Sequence, residues 1–170
     1  MNGTSSYVRS GFTPRNGVKF TDNDGFASAK QLQSVAAATF GSLFGVHDNS
    51  GGAARLLMRP RDSTDTRVYF INSGSGDSGA STDASGRYSV IRSSNTANRA
   101  LRNGVQVDSS SLGANNRPNR EVYIGANNEL GTANWFVPIT VEYFEAGGDV
   151  WSDADDLAMH NIIEAFIASL

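Results

Sequence analysis

The chain has 170 residues with 17 acidic and 14 basic side chains, which gives a net charge of −3. A domain of this length can bury a core without disulfide bonds, and the absence of cysteine excludes thiol catalysis and Cys-based zinc sites. The acidic balance argues against nucleic-acid binding, and no apolar run reaches the roughly 18 residues of a membrane span.

The first half of the chain is predicted to form short β-strands separated by turns rich in Gly, Asn, Asp and Ser. The segment TDNDG at 21–25 resembles part of a calcium loop, but a turn is favoured because Asp and Asn hydrogen-bond their own backbone. Residues 73–86 hold no apolar side chain larger than Ala and are predicted to form a mobile surface loop. The predicted strands lie in residues 5–12, 17–20, 26–32, 40–47, 54–59, 66–72 and 86–93.

A tight hairpin is predicted in the second half, where two alternating runs flank Asn103-Gly104. Both residues tolerate the positive φ that a type I′ turn requires. Two further strands are predicted at 121–127 and 135–146. Pro138 lies inside the second and lacks an N–H for the ladder, so it indicates a sheet edge or a bulge.

A helix is predicted at the C-terminus, at about 152–169, because the hydrophobic period changes after Trp151. Strands over about 5–146 followed by one amphipathic helix predict an all-β fold. The expected architecture is a single antiparallel β-sandwich of the jelly-roll type spanning residues 1–170. One face of the predicted helix carries Met159, Ile162, Ile163, Phe166, Ile167 and Leu170.

The segment GGDVWSDADD at 147–156 holds four aspartates and is either a cation site or the start of this helix. Its acids do not follow the spacing of a calcium loop. Ser152 and Asp155 instead match a capping box, and Asp153 and Asp156 would lie in the first turn, where the helix dipole favours negative charge. The cap is therefore the favoured interpretation, and Asp149 is left unassigned.

The sequence contains no recognisable catalytic motif, so we expect no enzyme activity, no metal and no cofactor. Glu142 and Glu145 are expected on opposite faces of one strand, which separates them as a carboxylate pair. His47 and His160 each stand alone. The sequence comes closest to a basic patch in four arginines, which are expected to be solvated charges on strands and loops. They are Arg55, Arg59, Arg61 and Arg67.

Exposed aromatic side chains beside Asn-rich loops are candidates for sugar binding. Both tryptophans lie near predicted strand ends, although packing in the core or at its rim is the favoured interpretation for them. The candidate glycan contacts are Trp135, Asp149, Trp151, Asn127 and Asn128.

The chain resembles laminin-G-like or concanavalin A-like jelly-roll domains, in the versions found in bacteriophage structural and tail proteins. The resemblance runs nearly end to end through NGTSSYVRSGFTP, GVKFTDNDG, RLLMRPR, LRNGVQV, VYIGANNELGTANWF and WSDADDLAMHNIIEAFIASL. It implies two packed antiparallel sheets, a helix closing one side, and a noncatalytic role. VEYFEAG lacks the acidic pattern of the family's glycoside hydrolases, and the loop acids of its calcium-dependent lectins have no match here.

From this resemblance we expect a virion structural protein that decorates the capsid or serves as a tail or fibre accessory. The alternative is a lectin-like carbohydrate-binding module for attachment to surface glycans. The expected partners are other virion proteins and further copies of the chain, with no nucleic acid and no membrane. The N-terminal segment does not match a secretory signal, so we expect synthesis in the host cytoplasm and a location on the virion surface.

Overall fold

Two antiparallel β-sheets and one helix make up the computed structural model, which describes residues 7–33, 41–48, 54–137, 140–149 and 151–169. The predicted β-sandwich with a C-terminal helix is confirmed. No helix in the described ranges has the length and apolar character needed to cross a membrane.

The elements are β1 (Val8–Arg9), β2 (Gly25–Gln31), β3 (Phe44–Asp48), β4 (Ala54–Arg59), β5 (Thr66–Ser73), β6 (Asp77–Ala80), β7 (Gly86–Ser94), β8 (Ala97–Arg102), β9 (Val105–Ser110), β10 (Tyr123–Ile124), β11 (Asn127–Glu129), β12 (Thr132–Asn134), β13 (Val141–Gly147) and α1 (Asp153–Ile167). The larger sheet, sheet A, has the strand order β1-β10-β3-β4-β5-β6, with the β11–β12 hairpin beside β3. The smaller sheet, sheet B, has the order β13-β2-β7-β8-β9.

The main core lies between the two sheets, where alternate residues of each strand point inward. Sheet B contributes small side chains from β2, and sheet A contributes larger aliphatic and aromatic ones. Its principal members are Ala27, Ala29, Phe44, Val46, Leu56, Met58, Tyr69, Ile71, Tyr88 and Val90.

An arginine lies fully buried at one end of this core. Arg92 donates from Nε to the Ile71 carbonyl at 2.9 Å and from Nη1 to the Asn95 carbonyl at 2.7 Å. It also donates to the Leu112 carbonyl at 3.3 Å. Burial lowers the pKa of Arg92 to about 10. The side chain joins strand β7 of sheet B to strand β5 of sheet A through carbonyl groups that would otherwise lose their hydrogen bonds.

Helix α1 begins with the predicted capping box. The Ser152 hydroxyl accepts a hydrogen bond from the Asp155 N–H at 3.1 Å, and the Asp155 carboxylate accepts one from the Ser152 N–H at 2.9 Å. The helix lies on the outer face of sheet B, where Asp156 meets Arg87 of β7. Only part of the predicted apolar face turns toward sheet B. Ile162 and Phe166 are each 63% exposed.

Strand β13 contains a register shift between Val141 and Phe144. The extra residue changes which face later side chains occupy, since side-chain direction alternates along a strand. Glu142 lies 3.1 Å from the Lys30 ammonium, and Glu145 lies 2.7 Å from the Arg87 guanidinium. Both acids therefore contact cations on the outer side of sheet B, and the expectation that they point to opposite faces is wrong.

Three loop and strand predictions also differ from the structure. The strand expected at 17–20 does not form. Residues 73–86 were expected to be a loop, but Asp77–Ala80 form β6 against β5. An edge strand can be held by backbone hydrogen bonds alone, so its sequence need not carry apolar side chains. The strand expected at 135–146 begins only at Val141, and Pro138 lies outside the described residues.

Candidate functional site

The described part of the aspartate-rich segment forms contacts within the protein. Asp149 forms an exposed ion pair with Lys19, and its backbone N–H donates to the Asp24 carboxylate at 3.1 Å. Among the described residues, no three His, Asp or Glu side chains are placed to hold a metal ion together. The segment therefore joins strand β13 to helix α1.

Trp151 is a packing residue on the outer side of sheet B. Its ring stacks on Phe26 with centroids 4.1 Å apart and planes 14° from parallel. Its indole N–H donates to the Asp156 carboxylate at 3.3 Å. With one ring face against Phe26 and its polar edge engaged, Trp151 supports the helix.

The remaining candidates, Asn127, Asn128 and Trp135, lie together in and after the β11–β12 hairpin of sheet A. Asn128 is buried, donates to the Glu121 carbonyl at 2.7 Å and accepts from the Gly131 N–H at 2.9 Å, so it holds the hairpin. Asn127 is also buried, and a Cβ at Gly45 would lie 2.7 Å from its side-chain oxygen.

Strand register places three polar side chains in a row across the outer face of sheet A. Glu129 of β11 is paired with His47 of β3, and His47 is paired with Arg55 of β4. Val46 and Leu56 point into the core, so their neighbours His47 and Arg55 point outward. We call Glu129, His47 and Arg55 the polar row.

Glu129, which supplies the carboxylate of the polar row, is held by contacts with His47 and Asn134. Glu129 Oε1 lies 3.4 Å from His47 Nδ1, and Oε2 accepts a hydrogen bond from the Asn134 side-chain amide. His47 is 5% exposed, and neither of its ring nitrogens forms a hydrogen bond in the described part of the chain. The Glu129 carboxylate is therefore a polar neighbour of this buried ring.

The cation of the polar row is half-buried and forms no ion pair with the described residues. The Arg55 guanidinium lies 4.9 Å from the centre of the Phe70 ring, and its buried Nε–H donates no hydrogen bond to a residue that the structure describes. Burial lowers the pKa of Arg55, and the nearby charge of Glu129 partly opposes that effect. The guanidinium thus keeps donors for an added acceptor.

A second arginine, Arg59, lies four positions further along β4. Arg59 is buried, 3.8 Å from the Asp62 carboxylate and 6.0 Å from the Trp135 ring centre. Burial lowers the pKa of Arg59, and Asp62 partly opposes this. Arg67, also expected to be solvated, is buried between the sheets. The expectation of solvated charge is therefore wrong for Arg59 and Arg67, because their strands place them against aromatic or backbone groups.

The structure thus divides the candidate residues between two places. Trp135, Asn127 and Asn128 border the polar row on sheet A, while Asp149 and Trp151 lie beside helix α1. Sequence reasoning missed His47 and Arg55 as site residues, because their proximity depends on the pairing of β3 with β4. The available signal was the alternation of ARLLMR, which puts residues 55, 57 and 59 on one face.

No family model matches the sequence, and no curated protein matches it. Solved structures do match. The CBM40 domain of a Ruminococcus gnavus IT-sialidase, bound to α2,3-sialyllactose, has a TM-score of 0.64 and 11% identity. The alignment covers 92% of this chain and 97% of that domain. The chain has the sandwich fold of that domain.

Two further structures extend the comparison. Domain 4 of AbnA, an extracellular arabinanase of Geobacillus stearothermophilus in complex with arabinotriose, has a TM-score of 0.66 and 13% identity, covering 94% of this chain and 74% of that one. A leech intramolecular trans-sialidase has a TM-score of 0.64 and 11% identity, covering 93% of this chain and 27% of that one. These similarities confirm the β-sandwich fold that the resemblance implied. The role as a bacteriophage structural protein stays a prediction.

Proposed function

We propose that this protein is a carbohydrate-binding module whose ligand is an acidic glycan bound over the polar row of sheet A. The observation that carries the proposal is the half-buried Arg55 guanidinium, which has no ion-pair partner among the described residues and lies beside His47. The similar Ruminococcus gnavus domain, which was solved with sialyllactose, supports the same ligand class.

Arginine suits this role because its planar guanidinium binds a carboxylate through two parallel hydrogen bonds. Glu129 could neutralise Arg55, but its oxygens face His47 and Asn134. The row therefore presents a cation at one end and acceptors at the other. An acidic sugar has groups for both, with a carboxylate for Arg55 and hydroxyls for the partly exposed Glu129.

The proposed role is binding without catalysis. Glycoside hydrolysis typically uses two carboxyl groups that flank the scissile bond. Glu129 is the one acid of the polar row, and it is held by hydrogen bonding to Asn134. The virion role remains a prediction from the sequence resemblance, and the structural neighbours favour the carbohydrate-binding alternative.

A glycan array tests the proposal directly. We expect sialylated or other carboxylate-bearing glycans to bind, and their neutral parent glycans to bind more weakly. Substitution Arg55→Ala should remove the array signal, while Arg15→Ala, at an exposed arginine outside the polar row, should retain it. No binding of any acidic glycan, or equal binding by Arg55→Ala, would contradict the proposal.

A further inference from the structure

A separate cavity of about 290 Å³ opens at one edge of the sandwich, away from the polar row. It lies where strands β6 and β9, each at the edge of its sheet, approach each other. The segment Ala80–Asp83 forms one wall. The other lining residues come from strands β5, β7, β8 and β9 and are Arg67, Tyr88, Arg102 and Val107.

The two arginines of this cavity are each matched by one carboxylate. Arg67 Nη2 lies 3.3 Å from Asp108 Oδ2, and Arg102 forms an ion pair with Asp83. The cavity is therefore close to neutral, and a charged ligand would bring unbalanced charge into a partly buried site. A neutral ligand avoids that cost.

The polar groups of the cavity still offer both donors and acceptors. Arg67 is 6% exposed, and its Nε–H forms no hydrogen bond with the described residues. Ser81 and Thr82 line the opening, and their hydroxyls can both donate and accept hydrogen bonds. Sugar hydroxyls donate and accept at the same atom, which suits such a mixed lining.

We propose that this cavity is a second ligand site that takes one neutral saccharide unit. Its volume lies at the lower end of the range for ligand pockets, which favours a single ring over a chain. The Arg67 guanidinium is the lining donor that a ligand hydroxyl would contact. The site does not include Arg55, so its test is independent of the test of the acidic-glycan proposal.

The test is an NMR titration of the ¹⁵N-labelled protein with D-galactose, D-glucose and L-arabinose in turn, with N-acetylneuraminic acid as the acidic probe. We expect at least one neutral sugar to shift the amide signals of residues 80–83 and the Nε–H signal of Arg67. Arg55→Ala should leave those shifts unchanged.

Two variants separate binding from folding. Thr82→Trp puts a large ring at the exposed mouth of the cavity without replacing a member of either ion pair, and it should weaken the sugar affinity at least roughly ten-fold. Thr96→Trp, at an exposed turn between β7 and β8, is the matched control and should bind like the wild type. The proposal is overturned if no neutral sugar shifts these signals, if Thr82→Trp binds equally well, or if only the acidic probe binds there.

Discussion

Arg87 and Asp156 form a fully buried ion pair, with Nη1 of the arginine 2.7 Å from Oδ1 of the aspartate. The same guanidinium donates to the Asp156 carbonyl at 3.1 Å and to Glu145 at 2.7 Å. Burial acts to lower the pKa of Arg87, but the two carboxylates outweigh it and the pKa is raised. Helix α1 is thus anchored to sheet B through charge as well as apolar contact.

Asp156→Ala should therefore destabilise the fold strongly. It leaves the buried Arg87 with Glu145 as its remaining acidic partner, and breaking a buried pair costs about 3–5 kcal/mol. Urea unfolding measures the loss. Asp153→Ala, which breaks the more exposed pair with Arg99, is the control and should cost no more than about 1 kcal/mol. Equal losses in the two variants would show that Arg87–Asp156 is not the anchor.

Much of the fold could be predicted from sequence because local patterns encode it. The segment ARLLMR forms strand β4 as predicted. The predicted hairpin turn at Asn103-Gly104 has the positive φ values of 52° and 77° that such a turn requires. The Ser152 cap is equally local. The polar row was not predictable, because Glu129 and His47 lie 82 positions apart and only strand pairing joins them. Arg92 was missed because burial of a charged side chain contradicts the usual pattern.

The capping box gives a second prediction. Ser152→Ala removes the acceptor for the Asp155 N–H and one contact to its carboxylate, so the unfolding free energy should fall by about 1 kcal/mol. Ser152→Asp restores a capping acceptor and should recover much of the loss. If the alanine variant matches the wild type in thermal unfolding, the cap does not stabilise this helix.

Gly45 gives a third prediction, since it makes room for the hairpin beside the polar row. In Gly45→Ala the new Cβ would lie 2.7 Å from the Asn127 side-chain oxygen and 3.3 Å from Leu57. We expect displacement of β11, and with it Glu129, so that glycan affinity falls more than stability does. Gly113→Ala, where a Cβ meets no atom within 4 Å, is the control. Unchanged affinity in Gly45→Ala would contradict this role.

The loop after β4 gives a prediction about acid stability. Burial acts to raise the pKa of Asp62, but hydrogen bonds from Thr64 and Thr66 outweigh it and the pKa lies below its ordinary 3.8. A carboxyl group with a lowered folded-state pKa contributes stability above its unfolded pKa, and this is lost as the pH falls through the folded value.

Asp62→Asn should therefore be less stable than the wild type near neutral pH and should show a shallower loss of stability below about pH 4. Chemical unfolding at a series of pH values measures both slopes. If the two proteins lose stability in parallel below that pH, the Asp62 hydrogen bonds do not contribute to acid sensitivity.

The central claim is that Arg55 binds the carboxylate of an acidic glycan. Isothermal titration of α2,3-sialyllactose into the wild type, Arg55→Ala, Arg55→Lys and the Arg15→Ala control tests it most directly. A charge-assisted hydrogen bond contributes about 1.5–3 kcal/mol, so Arg55→Ala should weaken binding roughly ten- to hundred-fold. Arg55→Lys should recover only part of it, because lysine cannot bind a carboxylate through a planar fork. Equal affinity of Arg55→Ala and wild type, or equal wild-type affinity for lactose and sialyllactose, would contradict the account.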